Sequence, residues 1–454
     1  MAETSQRPVA LIVLAAGAGT RMMSDIPKPL HELGGLPLIA HALKAGRALE
    51  PERIIVVTGH GADAVDAAVA DIAPDATCVR QEEQNGTGHA VLQAAPALEG
   101  FSGDAVVLYA DTPFVTPDTL ARLRAARTGH DVVVLGFEAA DPGRYGRLVM
   151  EGDRLLRIVE AKDATPEELS VRLCNSGLLS ADAGVLMELL ARIKPHNAAG
   201  EYYLTDLAEL AVEEGLSATA VLCPEAETLG INSRAELAAA EEQFQRMRRC
   251  QAMEDGVTLT WPDSVIFAAD TVIGRDVVVE PHVVFGPGVT VETGARIRAF
   301  SHLEGCHVSA GAIVGPYARL RPGAEIGNRA RIGNFVEVKA AEIGEGAKVN
   351  HLTYIGDATI GDGTNVGAGT VTCNYDGVMK HRTVVGRNAF IGSDTMLVAP
   401  VTVGDEAMTA SGSVVTEDVP GGALALGRAR QVNKPGLAVR LMERLRAIKQ
   451  SRKG

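Results

Sequence analysis

Apolar residues recur every six positions through the second half of the chain, at Ile273, Val279, Phe285, Val291, Ile297 and Leu303, and again at Val308, Val314, Leu320, Ile326, Ile332 and Val338. Five-residue steps lead to Ile343, Val349 and Ile355 and then to Ile360 and Val366, and the period returns at Val385, Ile391, Leu397, Val403 and Val415. Many of these are followed by glycine, as in Ile326-Gly327, Ile355-Gly356 and Ile391-Gly392. A period of six belongs neither to a helix nor to a single alternating strand. It is the hexapeptide signature of a parallel β-helix. Each hexad supplies one short strand and one tight corner, three hexads close a triangular coil, and coils stack through parallel ladders. About 150 such residues make roughly eight coils, a prism on the order of 40 Å tall.

Most hexads only build the wall, so a site is expected where the period breaks. It breaks between Val371 and Val384, in the segment Thr372-Cys373-Asn374-Tyr375-Asp376-Gly377-Val378-Met379-Lys380-His381-Arg382. This run is too polar for a wall and carries a Tyr-Asp-Gly turn, so it should project as a loop from a rigid scaffold.

The amino-terminal half alternates strands and helices, which argues a doubly wound, mostly parallel sheet. Strands are expected at Pro8 to Leu14, Arg53 to Thr58, Asp104 to Ala110, Asp131 to Phe137, Gly146 to Met150, Leu155 to Glu160 and Val171 to Ser176, and helices at Ala62 to Asp71, Ala181 to Arg192 and Leu204 to Glu214. The first strand runs into Ala15-Ala16-Gly17-Ala18-Gly19-Thr20-Arg21-Met22, a turn whose bare N–H groups can meet an anion. Dinucleotide and Walker patterns both fail here, for want of a third glycine and of a Gly-Lys-Ser/Thr ending. What remains is a glycine loop holding Arg21, with Lys28 following in Ile26-Pro27-Lys28-Pro29. A second small-residue turn, Gln81 to Val91, suits base or phosphate contact. Asp111 ends a buried-type strand, where ligands of α/β sheets bind and a carboxylate suits Mg²⁺; its competing role is a helix cap ahead of Thr112-Pro113. The chain is divided at 1–232, a linker helix at 233–253 and the hexapeptide domain at 254–454.

A net charge of −14 argues against a general nucleic-acid binder. The basic carboxyl-terminal run from Arg440 to Lys453 is read as a solvated helix end. Six cysteines show no Cys-x-x-Cys pair, which points to reduced thiols in a cytosol. Neither a signal peptide nor a membrane span is visible, so no membrane partner is expected.

Leu14 to Met22 together with Pro27-Lys28 resembles the signature of sugar-1-phosphate nucleotidyltransferases. Joined to a hexapeptide prism carrying His351-Leu352-Thr353-Tyr354 and Asn374-Tyr375-Asp376-Gly377, the chain resembles, over nearly its whole length, the bacterial bifunctional N-acetylglucosamine-1-phosphate uridyltransferases and glucosamine-1-phosphate acetyltransferases. The resemblance implies a left-handed β-helix, a homotrimer with acetyl pockets between subunits, and a product feeding peptidoglycan and lipopolysaccharide synthesis. For the first domain it implies UTP around Leu14, Ala15, Ala16, Gly17, Gln81, Gly86 and Thr87, sugar binding by Tyr109, Gly146, Glu160 and Asn175, and Mg²⁺ on Asp111 and Asn232. Charge neutralisation falls to Mg²⁺, Arg21 and Lys28, with Ala110 also lining the site. For the second it implies acetyl transfer from acetyl-CoA to glucosamine 1-phosphate with His351 as base, Arg321, Lys339 and Lys380 on the sugar phosphate, and Tyr354, Asn374 and Tyr375 beside them. Asn365, Ala368, Ser393, Ser411 and Arg428 match positions lining sugar and coenzyme. Asn85, Ala110 and Ser411 depart from the family's frequent Leu, Gly and Ala.

Two rival readings make different predictions. A single-activity sugar nucleotidyltransferase would use the prism only to oligomerise or regulate, and a zinc hydratase would place histidines between subunits. His282, His302, His307, His351 and His381 lack a tight ligand spacing.

Overall fold

The computed structural model describes residues 7–197 and 199–452. The chain divides into two compact units after Arg248, within a helix that spans Arg234–Glu254.

The first unit is built on Val9–Ala15, a strand buried along its whole length. An uninterrupted aliphatic run of this kind is what a strand covered on both faces requires. It pairs in parallel with Arg53–Thr58 on one side and Asp104–Tyr109 on the other. The full order is Ala218–Leu222, Val132–Glu138, Leu173–Asp182, Asp104–Tyr109, Val9–Ala15, Arg53–Thr58 and Thr77–Arg80. Leu173–Asp182 is antiparallel to both neighbours, so the expected parallel sheet carries one reversed strand. A hairpin of Arg147–Glu151 and Arg154–Val159 joins that strand at Cys174. The chain leaves Val9–Ala15 towards Arg53–Thr58 and later returns to its other side with Asp104–Tyr109. That reversal leaves a crevice at the carboxyl ends of the two strands, the place where open α/β sheets bind ligands.

The second unit is a triangular parallel β-helix. One face rises from Thr258–Leu259 through Val278–Val279, Arg296–Ile297, Ile313–Val314 and onward to Leu424–Ala425, each strand pairing in parallel with the one a coil later. The stack therefore extends past both ends of the legible hexads. The hexad residues from Val279 to Val415 are buried, and Ile273 is partly buried against the same core. A corner glycine shows why larger residues are excluded: a Cβ on Gly333 would lie 2.0 Å from the Asn350 carbonyl oxygen of the next coil.

The polar segment expected to leave the wall at Thr372 leaves it later. Thr372 is fully buried, Val371–Cys373 is still a wall strand, and Asn374 is 8% exposed. The Thr372 hydroxyl accounts for this, because it bonds the backbone of Gly356 one coil below and so stays in the wall. The projection begins at Tyr375, where a bridge to Lys380 closes a hairpin-like loop. At the far end, the helix Leu437–Ser451 buries none of its residues.

Candidate active sites

The crevice of the first unit is a cavity of about 320 Å³ lined by Leu14 to Gly17, Lys28, Gln81, Gly86, Thr87, Tyr109, Ala110 and Asp111. The backbone between strand and helix is held open by named bonds. Gly19 takes φ 58°, and its carbonyl accepts from Met22 N at 2.8 Å. A Cβ at Gly19 would sit 2.7 Å from the Lys28 Cβ, so glycine there lets Lys28 reach the cavity. Gly17 is different: a Cβ would meet nothing within 4 Å, and its face is open to whatever enters. Gln81, 5% exposed, donates to the Gly86 carbonyl at 3.1 Å and fixes the second turn. The Thr87 hydroxyl accepts from Leu204 N at 3.1 Å. Arg21 is exposed and, among the described residues, has no hydrogen-bond partner.

Lys28 forms an ion pair with Asp111 and lies 2.7 Å from the Oδ1 of Asn232. Asp111 does not cap the following helix, since Thr116 does, accepting from Thr119 N at 3.2 Å. Its carboxylate therefore faces Lys28 and the cavity and not the helix. Backbone geometry sets the pair, because Ile231 N donates to the Asp111 carbonyl at 3.0 Å and brings Asn232 alongside. A carboxylate and an amide oxygen already converge on one cation. The donor set fits a hard divalent ion that keeps phosphate and water oxygens for its other positions. Among the described residues no group of three or more His, Cys, Asp or Glu could hold a metal.

Of the remaining residues proposed from the first half, Asn175 lines a small separate cavity with Tyr109 and Glu160 lines a neighbouring cleft, and neither lines the crevice itself. A Cβ built on Gly146 would lie 3.5 Å from Glu160 Oε1, and Asn175 N donates to the Gly146 carbonyl at 2.8 Å. Gly177 N bonds Asn175 Oδ1 at 3.1 Å, with the Tyr109 ring packed against that glycine. Burial first, then the Asp111 carboxylate, raise the Tyr109 phenol above its ordinary range. Burial raises Glu160. Asp206, beside Glu160 in a neighbouring cleft of about 740 Å³, is raised to about 6 by burial first and then by Glu209 and Glu160. Gln84, which sequence reasoning passed over, lines the cavity and donates to the Ala16 carbonyl at 2.9 Å. Its signal was position alone, inside the Gln81 to Thr87 turn. Asn85 engages Glu83 at 3.1 Å by its side chain, while its carbonyl accepts from Tyr202 N at 2.8 Å; the bond to Tyr202 is main-chain and does not depend on the side chain at this position.

In the second unit, residues about one coil apart in sequence become neighbours. His351 is exposed, and its Nδ1 lies 3.0 Å from the Asn334 Oδ1, one coil below. With Oδ1 as acceptor, the imidazole proton sits on Nδ1 and Nε2 is left as a base. Lys339 lies 3.6 Å from the Asp357 carboxylate, which also accepts from Asn374 Nδ2. The same Nδ2 is 3.5 Å from the Tyr354 hydroxyl. Lys380 is held below the ordinary lysine range by a hydrogen bond to Lys339 and its charge. Arg321 stands one coil lower, paired with Glu337 at 2.8 Å. Tyr375 is not gathered in: it is 60% exposed and donates to the Gly377 carbonyl at 2.6 Å. Among the described residues no hydrogen bond joins His351 to the lysine cluster.

One edge of the prism carries His351 and the implied coenzyme positions. Gly369 N bonds the His351 carbonyl, Asp394 N the Ala368 carbonyl and Gly412 N the Ser393 carbonyl, at 3.2, 2.7 and 2.8 Å. A Cβ on Gly412, next to exposed Ser411, would lie 3.8 Å from Arg428 Cδ. Asn365 sits on the adjoining face, in register with Lys348 and Phe390. Below His351 the same edge is aromatic: Phe300, Tyr317 and Phe335 stack with centroids 4.9 and 5.3 Å apart, and Trp261 stands edge-on to His282 at 5.2 Å.

A MobA-like NTP transferase domain model matches residues 11–218, and a bacterial transferase hexapeptide model matches 270–305 and 305–340. The hexapeptide matches agree with a left-handed winding of the prism. The chain is 71% identical over 99% of its length, and 99% of the relative's, to the bifunctional protein GlmU of Jannaschia sp.. It is 66% identical to the protein of that name from Dinoroseobacter shibae, over 98% of this chain and 99% of that one, and 65% identical to that of Ruegeria sp., over 97% and 98%. No helix among the described residues is long and apolar enough to cross a membrane.

Proposed function

The chain belongs to the family of bifunctional GlmU proteins, and on that premise we propose which residues carry each of its two reactions. The protein is a transferase that makes UDP-N-acetylglucosamine: it acetylates glucosamine 1-phosphate, then transfers a uridylyl group from UTP to N-acetylglucosamine 1-phosphate.

Uridylyl transfer is assigned to the crevice of residues 1–232. The sugar phosphate oxygen attacks the α-phosphorus of UTP, one P–O bond forms, and the bond to pyrophosphate breaks. No protein nucleophile is needed; positioning and charge neutralisation supply the rate. Asp111 and Asn232 would hold Mg²⁺, which supplies Lewis-acid polarisation of phosphate oxygens. Lys28 then moves from Asp111 to the phosphates with Arg21, and Gly17 lets them approach the backbone. Tyr109, Gly146, Glu160 and Asn175 orient the acetylated sugar.

Acetyl transfer is assigned to residues 254–454, behind a linker helix at 233–253. Nε2 of His351 takes the amine proton as the nitrogen attacks the thioester carbonyl, and coenzyme A leaves as thiol. Arg321, Lys339 and Lys380 bind the sugar phosphate with Tyr354 and Asn374 beside them, while Asn365, Ala368, Ser393, Ser411 and Arg428 line sugar and coenzyme. We take the assembly to be a cytoplasmic homotrimer, as the family resemblance implies; exposed His351, which no hydrogen bond among the described residues joins to the lysine cluster, would then be enclosed by a neighbouring subunit.

The observation that carries the uridylyl reading is the convergence of Asp111 and Asn232 on one cation. The test is a pair of assays on wild type, Asp111→Ala and His351→Ala, following pyrophosphate release and thiol release. Loss of pyrophosphate release alone in the first and of thiol release alone in the second is expected. A wild type that releases no thiol would leave only a nucleotidyltransferase with a scaffold.

A further inference from the structure

Asp357 is not among the residues the family resemblance implies, yet it is where the lysine cluster meets. It sits on a corner of the prism at φ 46°, in the left-handed region that aspartate tolerates better than most side chains. Its carboxylate accepts from Asn374, just past the strand that leads into the projecting loop, and lies 3.6 Å from Lys339 on the coil below. Both ionic side chains are largely shielded, Lys339 at 19% and Asp357 at 22% exposure. Asn374 in turn reaches the Tyr354 hydroxyl at 3.5 Å. Two further segments, the strand carrying Lys339 and the stretch carrying Asn374, are thus tied to one carboxylate.

The neighbouring Lys339 ammonium disfavours the charge on Lys380. A phosphate monoester nevertheless needs both of them charged and aimed at one point. Asp357 answers both requirements. Its negative charge offsets the repulsion, and its bond to Asn374 fixes the amide that faces the same space. Resting on the reading of this cluster as the sugar-phosphate subsite, we propose that Asp357 is a positioning residue that sets affinity for the phosphorylated acceptor, and takes no part in bond making.

The experiment uses full-length Asp357→Asn, which preserves shape and tolerance of the left-handed backbone, with Asp357→Glu, Lys339→Ala and the thermal midpoint alongside. The expected result for Asp357→Asn is a KM for glucosamine 1-phosphate raised about tenfold or more, with kcat changed by no more than about threefold. KM for acetyl-CoA and uridylyl transfer stay at wild-type values, and Asp357→Glu recovers part of the loss. The alkaline limb of kcat/KM for the sugar phosphate should also move to lower pH, because Lys380, already held low by Lys339, loses the nearby Asp357 counter-charge. If Lys339→Ala raises that KM and Asp357→Asn does not, the proposal is overturned while the subsite stands. If Lys339→Ala also leaves it unchanged, the subsite reading falls with it. A fall in the thermal midpoint with both KM values disturbed alike would reduce Asp357 to a structural residue and overturn the proposal too.

Discussion

The ammonium of Lys28 lies 2.7 Å from the Oδ1 of Asn232 while paired with Asp111, so a protein cation occupies the point that both acceptors address. A divalent ion held there, as proposed, would displace Lys28 from both acceptors. Lys28→Met should lower kcat for uridylyl transfer by about 100-fold or more, as loss of a transition-state charge does. The Mg²⁺ concentration for half-maximal activity should not rise, because a competitor for Asp111 has gone. A Mg²⁺ titration of the variant checks this, and a higher requirement with unchanged kcat would contradict it.

The two glycines of the first turn should behave oppositely. Gly19→Ala forces a side chain into φ 58° and against Lys28 Cβ at 2.7 Å, and should cost on the order of 1–3 kcal/mol of stability along with activity. Gly17→Ala meets nothing within 4 Å and should leave the thermal midpoint unchanged while raising KM for UTP. Thermal melts and UTP titrations of both variants separate the cases.

The hexads were legible because an inward aliphatic residue must recur wherever a coil turns a corner, and burial of Val279 through Val415 follows from that. The crevice at Asp111 was legible for a similar reason, since strand order fixes where an α/β sheet opens. Asn334 and Asp357 were not. Their partners His351 and Asn374 each lie 17 positions away, a distance set by the length of one coil and invisible until the coils are stacked. The reversed strand Leu173–Asp182 was equally hidden, because its residues suit either direction.

Asn334→Ala should lower kcat for acetyl transfer by about 10- to 100-fold with little change in either KM, because the imidazole loses the acceptor that keeps its proton on Nδ1. Steady-state kinetics with both substrates varied decide the matter. A rise in KM alone would place Asn334 in binding and not in orienting the base.

Asp206 gives a pH signature. Its carboxyl is raised from 3.8 to about 6 in the folded unit, so the folded state favours the protonated form. That preference stabilises fully below pH 3.8 and is lost as pH rises through about 6. Asp206→Asn should therefore be more stable than wild type at pH 8, by on the order of 2 kcal/mol, with the advantage fading below about pH 4. Thermal midpoints across that range test it, and a pH-independent difference would refute it.

Trp261 is the chain's one tryptophan, it is 54% exposed, and it stands against the His282 ring at the foot of the aromatic edge. The molecule thus carries a tryptophan in the prism and none in the nucleotide-binding half. Its emission, excited selectively, follows unfolding of the prism without a contribution from the nucleotide-binding half.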